Sequence, residues 1–469
     1  EKLREHPHAE RTANTRHARY FTAFLAERRA RLQSVEQRAA LAEIAVEIEN
    51  ARRAWLFAVA SGWAEAVEGG LESLYDFYDI RCRFQEGIEL FAQTPAAWAE
   101  SPALRGSLGK VQARLGAMHR HLDHYQQARA LLQEGLRIAE MDGRTAEIVF
   151  CLTNLTHIQR LEGEYEAVLR EAEHSLALAR RGEDRLGIIR SLHLLGMTHT
   201  DLGNIAQAEG YLRQSLDEAA QSGNPRLMMA PLNALGDVLC YKGDYTAAQK
   251  TFEQCLALSY DLGDSYNIAI HLNNLGTVLH LEGKLTPARG YYQKSLNICR
   301  EIGDQRGEAI ALSNLGEIAY ALDMPEEARA LYQAGLDIGR RIPDRWTMMI
   351  CLNNLGEIAC RSQTCGEAAA YFTEALKITQ ATQTLPMALK ILVNAATLFA
   401  QQGRSERAAA LLGIARQHPA GEQATQAQAA QLLAELKLSA PENLPDSLDA
   451  LIEEVLTELT ALSRGDELS

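Results

Sequence analysis

The sequence is poor in the residues that build sheets and membrane spans. Aromatic residues make up only 6% of its 469 positions, and there are 12 prolines. Alanine and leucine dominate instead, which favours an all-helical chain. No apolar run approaches the roughly 18–20 residues needed to cross a bilayer, so no membrane contact is expected. Residues 1–17 (EKLREHPHAERTANTRH) are charged throughout and lack the apolar core of a signal peptide. Positive charge is in deficit too. Lys and Arg number 47 against 61 Asp and Glu, a net charge of −14, whereas direct nucleic-acid binding needs a cationic surface to displace counterions. Eight cysteines are too few for a disulfide framework in so long a chain, and a reduced, cytoplasmic setting fits them. Catalytic signatures are missing as well. The chain has no G-x4-GK-[ST], H-E-x2-H, G-x-S-x-G or dinucleotide loop. The expectation is a protein that is not an enzyme and carries no cofactor.

What is present is a sentence written repeatedly. Leu152, Leu192, Leu232, Leu272, Leu312, Leu352 and Leu392 are each forty positions apart. Three residues on comes a second leucine in most copies, then a glycine (Gly116, Gly196, Gly236, Gly276, Gly316, Gly356). Twelve residues beyond lies an alanine, and four past that a large apolar residue such as Phe252, Tyr292, Tyr332 or Phe372. A fixed period of this size is the mark of a solenoid, in which each unit buries its apolar face only by stacking. Within one unit, Leu272, Leu275 and Leu279 share a helical face. EGK around Gly283 breaks that helix, and Pro287 suits the first turn of the next. GD at 303–304 closes the unit.

Leu275, Gly276, Ala288 and Tyr292 match the L-G-x2-Y…A-x3-F pattern, so the chain resembles the tetratricopeptide repeat. The usual unit has 34 residues; forty is similar to kinesin light chain and to bacterial signalling proteins. The resemblance covers Gln112 to about Gln431. It implies an all-α tetratricopeptide-repeat solenoid, a right-handed superhelix of antiparallel helix pairs with helical N- and C-terminal caps. The expected organisation is 1–17 as the remnant of an upstream module or a tail, and 18–100 as a helical cap with a degenerate repeat. Residues 101–431 then form the array, and 432–469 a C-terminal capping helix and tail.

The flanks carry a second resemblance. His17, Tyr20, Phe24, Leu25, Glu47, Glu49, Asn50 and Trp55 resemble the segment that follows the nucleotide-binding and winged-helix modules of bacterial STAND-type signal-transduction ATPases, many of them LuxR-like regulators. This implies an upstream nucleotide-binding module outside the sequence, with EKLREHP at 1–7 as its last scrap.

Candidate chemistry is sparse. His119, His121 and His124 cluster, but no Cys or carboxylate completes a zinc set, and they read as a solvated loop; no metal site is expected. Asparagine is more telling. Asn154, Asn274, Asn314, Asn354 and Asn394 occupy one place in the frame, on first helices, although Asn costs about half a kcal/mol against Ala there. In tetratricopeptide arrays the first helices line the concave surface, and kinesin light chain uses such an asparagine to hold a peptide backbone. Asn offers both donor and acceptor to a peptide unit. The alternatives are an internal tie to a neighbouring helix and simple copying. One turn on, the same face carries His157, Asp237, Thr277, Glu317 and Glu357, and Arg190 enters from the preceding turn. Trp346 is a candidate ligand anchor or a packing residue. These residues form the expected ligand-binding groove for a peptide, protein or small molecule, mixed or basic early and acidic late. The function implied is the sensing region of a STAND regulator. A free-standing scaffold that assembles partner proteins is the rival reading.

Overall fold

The computed structural model describes residues 7–94, 96–342, 344–382, 384–421, 423–440 and 447–464. Among them are twenty-two α-helices and no strand. The first four are α1 (Pro7–Leu32), α2 (Gln37–Ala60), α3 (Ala64–Ile80) and the short α4 (Phe84–Phe91), followed by a 3-10 turn at Ala96–Glu100. The regular array runs through α5 (Pro102–His121), α6 (Tyr125–Met141), α7 (Thr145–Leu161), α8 (Tyr165–Arg181), α9 (Arg185–Asp201), α10 (Ile205–Gln221), α11 (Arg226–Tyr241) and α12 (Tyr245–Leu262). It continues with α13 (Ser265–Leu281), α14 (Leu285–Ile302), α15 (Gln305–Ala321), α16 (Pro325–Arg341), α17 (Arg345–Arg361), α18 (Cys365–Thr382), α19 (Leu385–Gln401) and α20 (Ser405–Gln417). Two last helices, α21 (Gln423–Glu435) and α22 (Leu448–Arg464), close the chain. The fold is an all-α repeat solenoid, divided into two compact units, Glu1–Val278 and Leu279–Ser469.

The forty-residue period is two twenty-residue halves. Gly143, Gly163, Gly203, Gly223, Gly243, Gly263, Gly283, Gly303 and Gly403 all have positive φ, and each stands at a helix end. A left-handed residue there turns the chain back so that the next helix packs antiparallel. At Gly303 the next residue immediately starts a helix: Asp304 Oδ1 accepts from the backbone N–H of Gly307 at 3.0 Å, a side-chain cap for an otherwise unpaired donor. Where glycine is missing, Asp123, Glu183, Asp323 and Gln363 are forced to the same φ, between 53° and 58°. A side chain there is strained by about 1 kcal/mol. Gln363→Gly should therefore raise the unfolding free energy by about 0.5–1 kcal/mol, read as a higher urea midpoint; an unchanged or lower midpoint would show that the turn is not strained.

Each hairpin is pulled close by a small residue opposite a large one. A methyl group on Gly236 of α11 would lie 2.5 Å from Phe252 Cζ of α12, and on Gly316 of α15 it would lie 2.8 Å from Tyr332 Cε1 of α16. Both rings are fully buried. The divergent copy keeps the space with other residues. Thr156 and Val168 are both buried, and Thr156 Oγ1 satisfies itself on the Leu152 carbonyl at 2.7 Å.

In the first unit, Leu25, Ile44, Trp55, Leu71, Tyr78 and Phe91 of α1–α4 form one core with Leu108, Val111 and Met118 of α5, with the Trp55 and Phe91 rings 5.2 Å apart. Phe21 is buried as its spacing suggests, whereas Tyr20 is 62% exposed because it points off the packed face. Residues 1–6 lie outside the described residues; Pro7 to His17 are continuous with α1. In the second unit, α22 packs on α18 through Leu451, Ile452, Val455 and Leu459. Glu458 pairs with Arg404 (2.6 Å) and Arg407 (2.8 Å).

Candidate functional site

In the second unit the first helices α15, α17 and α19 lie side by side, so residues forty apart in sequence become neighbours in space. Two cavities open along them. One, of about 300 Å³, is lined by Asn314, Glu317, Trp346, Asn354 and Lys390 with Ile310, Ile350 and Met387. The other, of about 280 Å³, is lined by Glu317, Asn354 and Lys390 again, with His280, Tyr320, Glu357, Asn394 and Gln428. Glu317, Asn354 and Lys390 belong to both, so the cavities form one continuous groove. Each is small for a ligand pocket; together they suit a strand of side chains better than one bulky molecule.

The groove is mixed in charge. Tyr320 donates to Glu357 Oε1 at 2.7 Å. Burial first, and then Glu357, raises the Tyr320 phenol. Arg361 lies over the Tyr320 ring at 4.7 Å, and His280 Nδ1 is 3.9 Å from Glu317. Lys390 makes no ion pair among the described residues. Trp346 is 49% exposed, with its indole on the wall of the larger cavity. The expected acidic stretch is therefore present at Glu317 and Glu357, but a lysine from the next repeat stands among the carboxylates.

The asparagines divide into two groups. Asn274 Nδ2 donates to Asn233 Oδ1 (2.7 Å), and Asn394 Nδ2 to Asn353 Oδ1 (3.0 Å), each pair forty-one residues apart. The amide of one first helix thus ties to the first helix of the preceding repeat. Asn394 also accepts from Gln428 Nε2 (3.3 Å) and is only 5% exposed. Asn154, 9% exposed, accepts from Arg120 Nε (3.1 Å) and donates to the Phe150 carbonyl (2.8 Å). These three amides are engaged within the protein. Asn314 and Asn354 are half-buried on the cavity wall, where Asn354 Oδ1 accepts from Asn353 Nδ2 at 3.2 Å. Removing Asn394 would leave the Oδ1 of Asn353, a residue 1% exposed, without its donor, while Asn353 Nδ2 stays on Asn354 Oδ1 at 3.2 Å. Asn394→Ala should cost about 1–3 kcal/mol, less roughly half a kcal/mol returned by alanine's helix preference. Urea unfolding checks this, and an unchanged midpoint would show the tie to be dispensable.

The remaining candidates lie in the first unit. His157 is half-buried on α7, and burial, with Arg120 and Arg160 nearby, holds it well below the ordinary imidazole range. Arg190 stacks on Phe150, 5.2 Å from the ring centroid. Asp237 receives a long bond from Asn233 (3.4 Å) and is exposed, while the protein packed around its helix pushes its carboxyl up by partial desolvation. Thr277 donates to the Asn273 carbonyl (3.2 Å). The histidine cluster does not converge. His119 and His124 ring nitrogens are 3.2 Å apart, while His121 stacks flat on Phe84 at 4.6 Å and faces Asp79 at 3.5 Å. Among the described residues no group of three or more His, Cys, Asp or Glu is placed to share a metal ion, no helix is long and apolar enough to cross a membrane, and none of the eight cysteines is in a disulfide.

Sequence comparison gives this architecture a class. Residues 227–301 and 267–341 match the tetratricopeptide-repeat family model, and residues 188–219 match a second model of the same repeat. The solenoid is therefore a tetratricopeptide-repeat solenoid, a fold for protein interaction. The sequence matches none of the curated proteins compared with it. Among solved structures, it is similar to the Rap protein complexed with Competence and Sporulation Factor, with a TM-score of 0.56 and 16% identity over 80% of this chain and 99% of that one. It is also similar to the STAND protein with a tetratricopeptide repeat sensor from Pyrococcus horikoshii (TM-score 0.49, 14% identity, 80% of this chain); it spans 55% of that chain. A third is the apo form of the quorum sensor NprR from B. thuringiensis (TM-score 0.48, 14% identity, 76% of this chain and 99% of that one).

Proposed function

We propose that the chain is the sensing region of a bacterial STAND-type regulator, and that the groove of its second unit holds an extended protein segment carrying Lys or Arg. The observation that carries this is the continuous groove. Half-buried Asn314 and Asn354 line its wall, where a carboxamide could exchange an internal bond for one to a peptide backbone, an exposed indole stands at one end, and Glu317 and Glu357 focus negative potential inside a concavity. Lys390 lines both cavities and tempers the negative potential there. The STAND context rests on the residues of the N-terminal flank, and the fold likeness to the Rap protein, itself complexed with a factor, fits a ligand-holding solenoid. In this reading the region is not catalytic and works in the cytoplasm. Binding would bias the array between packings against an upstream nucleotide-binding module, which requires the ligand to favour one packing over the other. A scaffold without a switch would use the same groove.

The test is to pan a random-peptide display library against the full chain. Enrichment of peptides with Lys or Arg, whose binding is weakened by Asn354→Ala and Trp346→Ala and falls with added salt, is the expected result. Peptides indifferent to both substitutions would place the contact surface elsewhere.

A further inference from the structure

Among the described residues, every arginine that is buried or half-buried forms an ion pair with a carboxylate, with two exceptions. The exceptions are Arg120 on α5 and Arg190 on α9, and both turn toward α7 in the first unit. Arg120 is held by Asn154 (3.1 Å) and lies 2.9 Å from His121 Nε2. Arg190 has only the Phe150 face. Two like charges withdrawn together from water without a carboxylate in ion-pair contact are unfavourable, although Asp79 acts on Arg120 and Asp76 on Arg190 from farther off. Burial, and the charge of Arg190, lower the pKa of Arg120 accordingly.

The carboxylates nearby are committed elsewhere. Glu72 and Glu147 both pair with Arg114. Asp79 faces His121 (3.5 Å) and Arg226 (3.6 Å). Asp76 forms no ion pair among the described residues; Arg226 and Arg190 lie near it, but burial, Glu72 and Asp79 outweigh them and push its carboxyl up to about 7.

We propose that the space between Arg120 and Arg190 is a binding site for an oxyanion, the carboxylate or phosphate group of a ligand. Guanidinium groups present paired N–H donors that match either group. Asn154 positions Arg120, and the Tyr75 hydroxyl, near both arginines, is a further donor. The site belongs to the first unit and does not depend on what the groove of the second unit holds.

A pH signature follows. Asp76 faces Glu72 and Asp79 on its own helix, Arg190 on α9 and Arg226 on α11. Between pH 8 and 6 it takes up a proton, whereas His121 and His193, held near 4, and His157, well below its ordinary value, stay neutral. Removing that negative charge should tighten anion binding as pH falls, and Asp76→Asn should abolish the trend.

Calorimetry on the full chain tests this with three probes: inorganic phosphate, an N-acetylated dipeptide with a free C-terminal carboxylate, and the same dipeptide amidated. The pH series uses the dipeptide carboxylate, which does not titrate in that window. Phosphate or the free dipeptide should bind saturably and the amide should not; whichever binds identifies the source of the oxyanion. Arg120→Met and Arg190→Met should each weaken binding about tenfold or more, and Arg213→Met, on an exposed surface, should change nothing. Without probe, Arg190→Met should melt no lower than the parent, because it removes an uncompensated charge. Were it to unfold, Arg190→Lys takes its place: a folded protein with weakened binding supports the site. No saturable binding of either anion, or equal binding by the arginine variants, overturns it.

Discussion

Gly316→Ala is expected to lower the unfolding free energy by about 1–3 kcal/mol, the usual cost of forcing an extra methyl into a packed core. The added carbon would sit 2.8 Å from Tyr332, closer than real carbon contacts allow. Tyr332 is 2% exposed and walled in by the neighbouring repeat, so it has nowhere to swing. The helices must separate instead, and the shift would reach Glu317, the next residue and a groove wall. Gly356, set against Phe372 in the following hairpin, should behave alike. Because the two sites sit in adjacent repeats that share an interface, the double variant should depart from simple additivity. Denaturant unfolding at equilibrium is the measurement. A loss below half a kcal/mol in both single variants would mean that the close approach of the two helices is not what holds a hairpin together.

Charge reversal in the groove is expected to act on binding instead. Glu317 is exposed and Glu357 half-buried, so Glu317→Lys should leave the fold intact. Its affinity for a cationic peptide should drop about tenfold, the scale of one close charge pair lost and one repulsion gained. Glu357→Lys also breaks the bond from Tyr320. Glu357→Gln separates the two effects, since it keeps an acceptor for that hydroxyl and removes only the charge. The loss should be largest at low salt and shrink as ionic strength rises. Lys390→Glu should do the reverse and strengthen binding of the same peptide. If all four variants bind it equally, the carboxylates are solvated surface and the peptide lies elsewhere.

The period was readable in the sequence because a repeat's packing demands are local. Gly316 and Tyr332, or Gly236 and Phe252, must be small and large at a fixed separation for two helices to meet, and that shows as spacing. The turns were half legible. Gly283 and Gly303 announce themselves, whereas Asp323 and Gln363 adopt the same backbone angle without a residue type that predicts it. Lys390 was missed although its position in the frame is that of Arg190, exactly two hundred residues earlier, which did draw notice. The asparagines show the harder limit. Their recurrence was visible, but Asn274 and Asn394 bond to the residue one before the ladder in the previous copy. That contact depends on how neighbouring first helices are staggered, which no single-repeat pattern contains. Arg120 and Arg190 mark the same limit from the other side. A charge left without a partner is recognisable only once every nearby carboxylate has been placed.

The most direct test of the groove is photo-crosslinking. A Lys- or Arg-bearing peptide selected against the full chain, carrying a benzophenone, is irradiated in complex and the attachment sites are mapped by mass spectrometry. Attachment should concentrate on the groove-facing residues of α15, α17 and α19, among them Ile310, Trp346, Ile350 and Met387, and disappear with Glu317→Lys. Attachment confined to the second helices α16 and α18, unchanged by that substitution, would contradict the account.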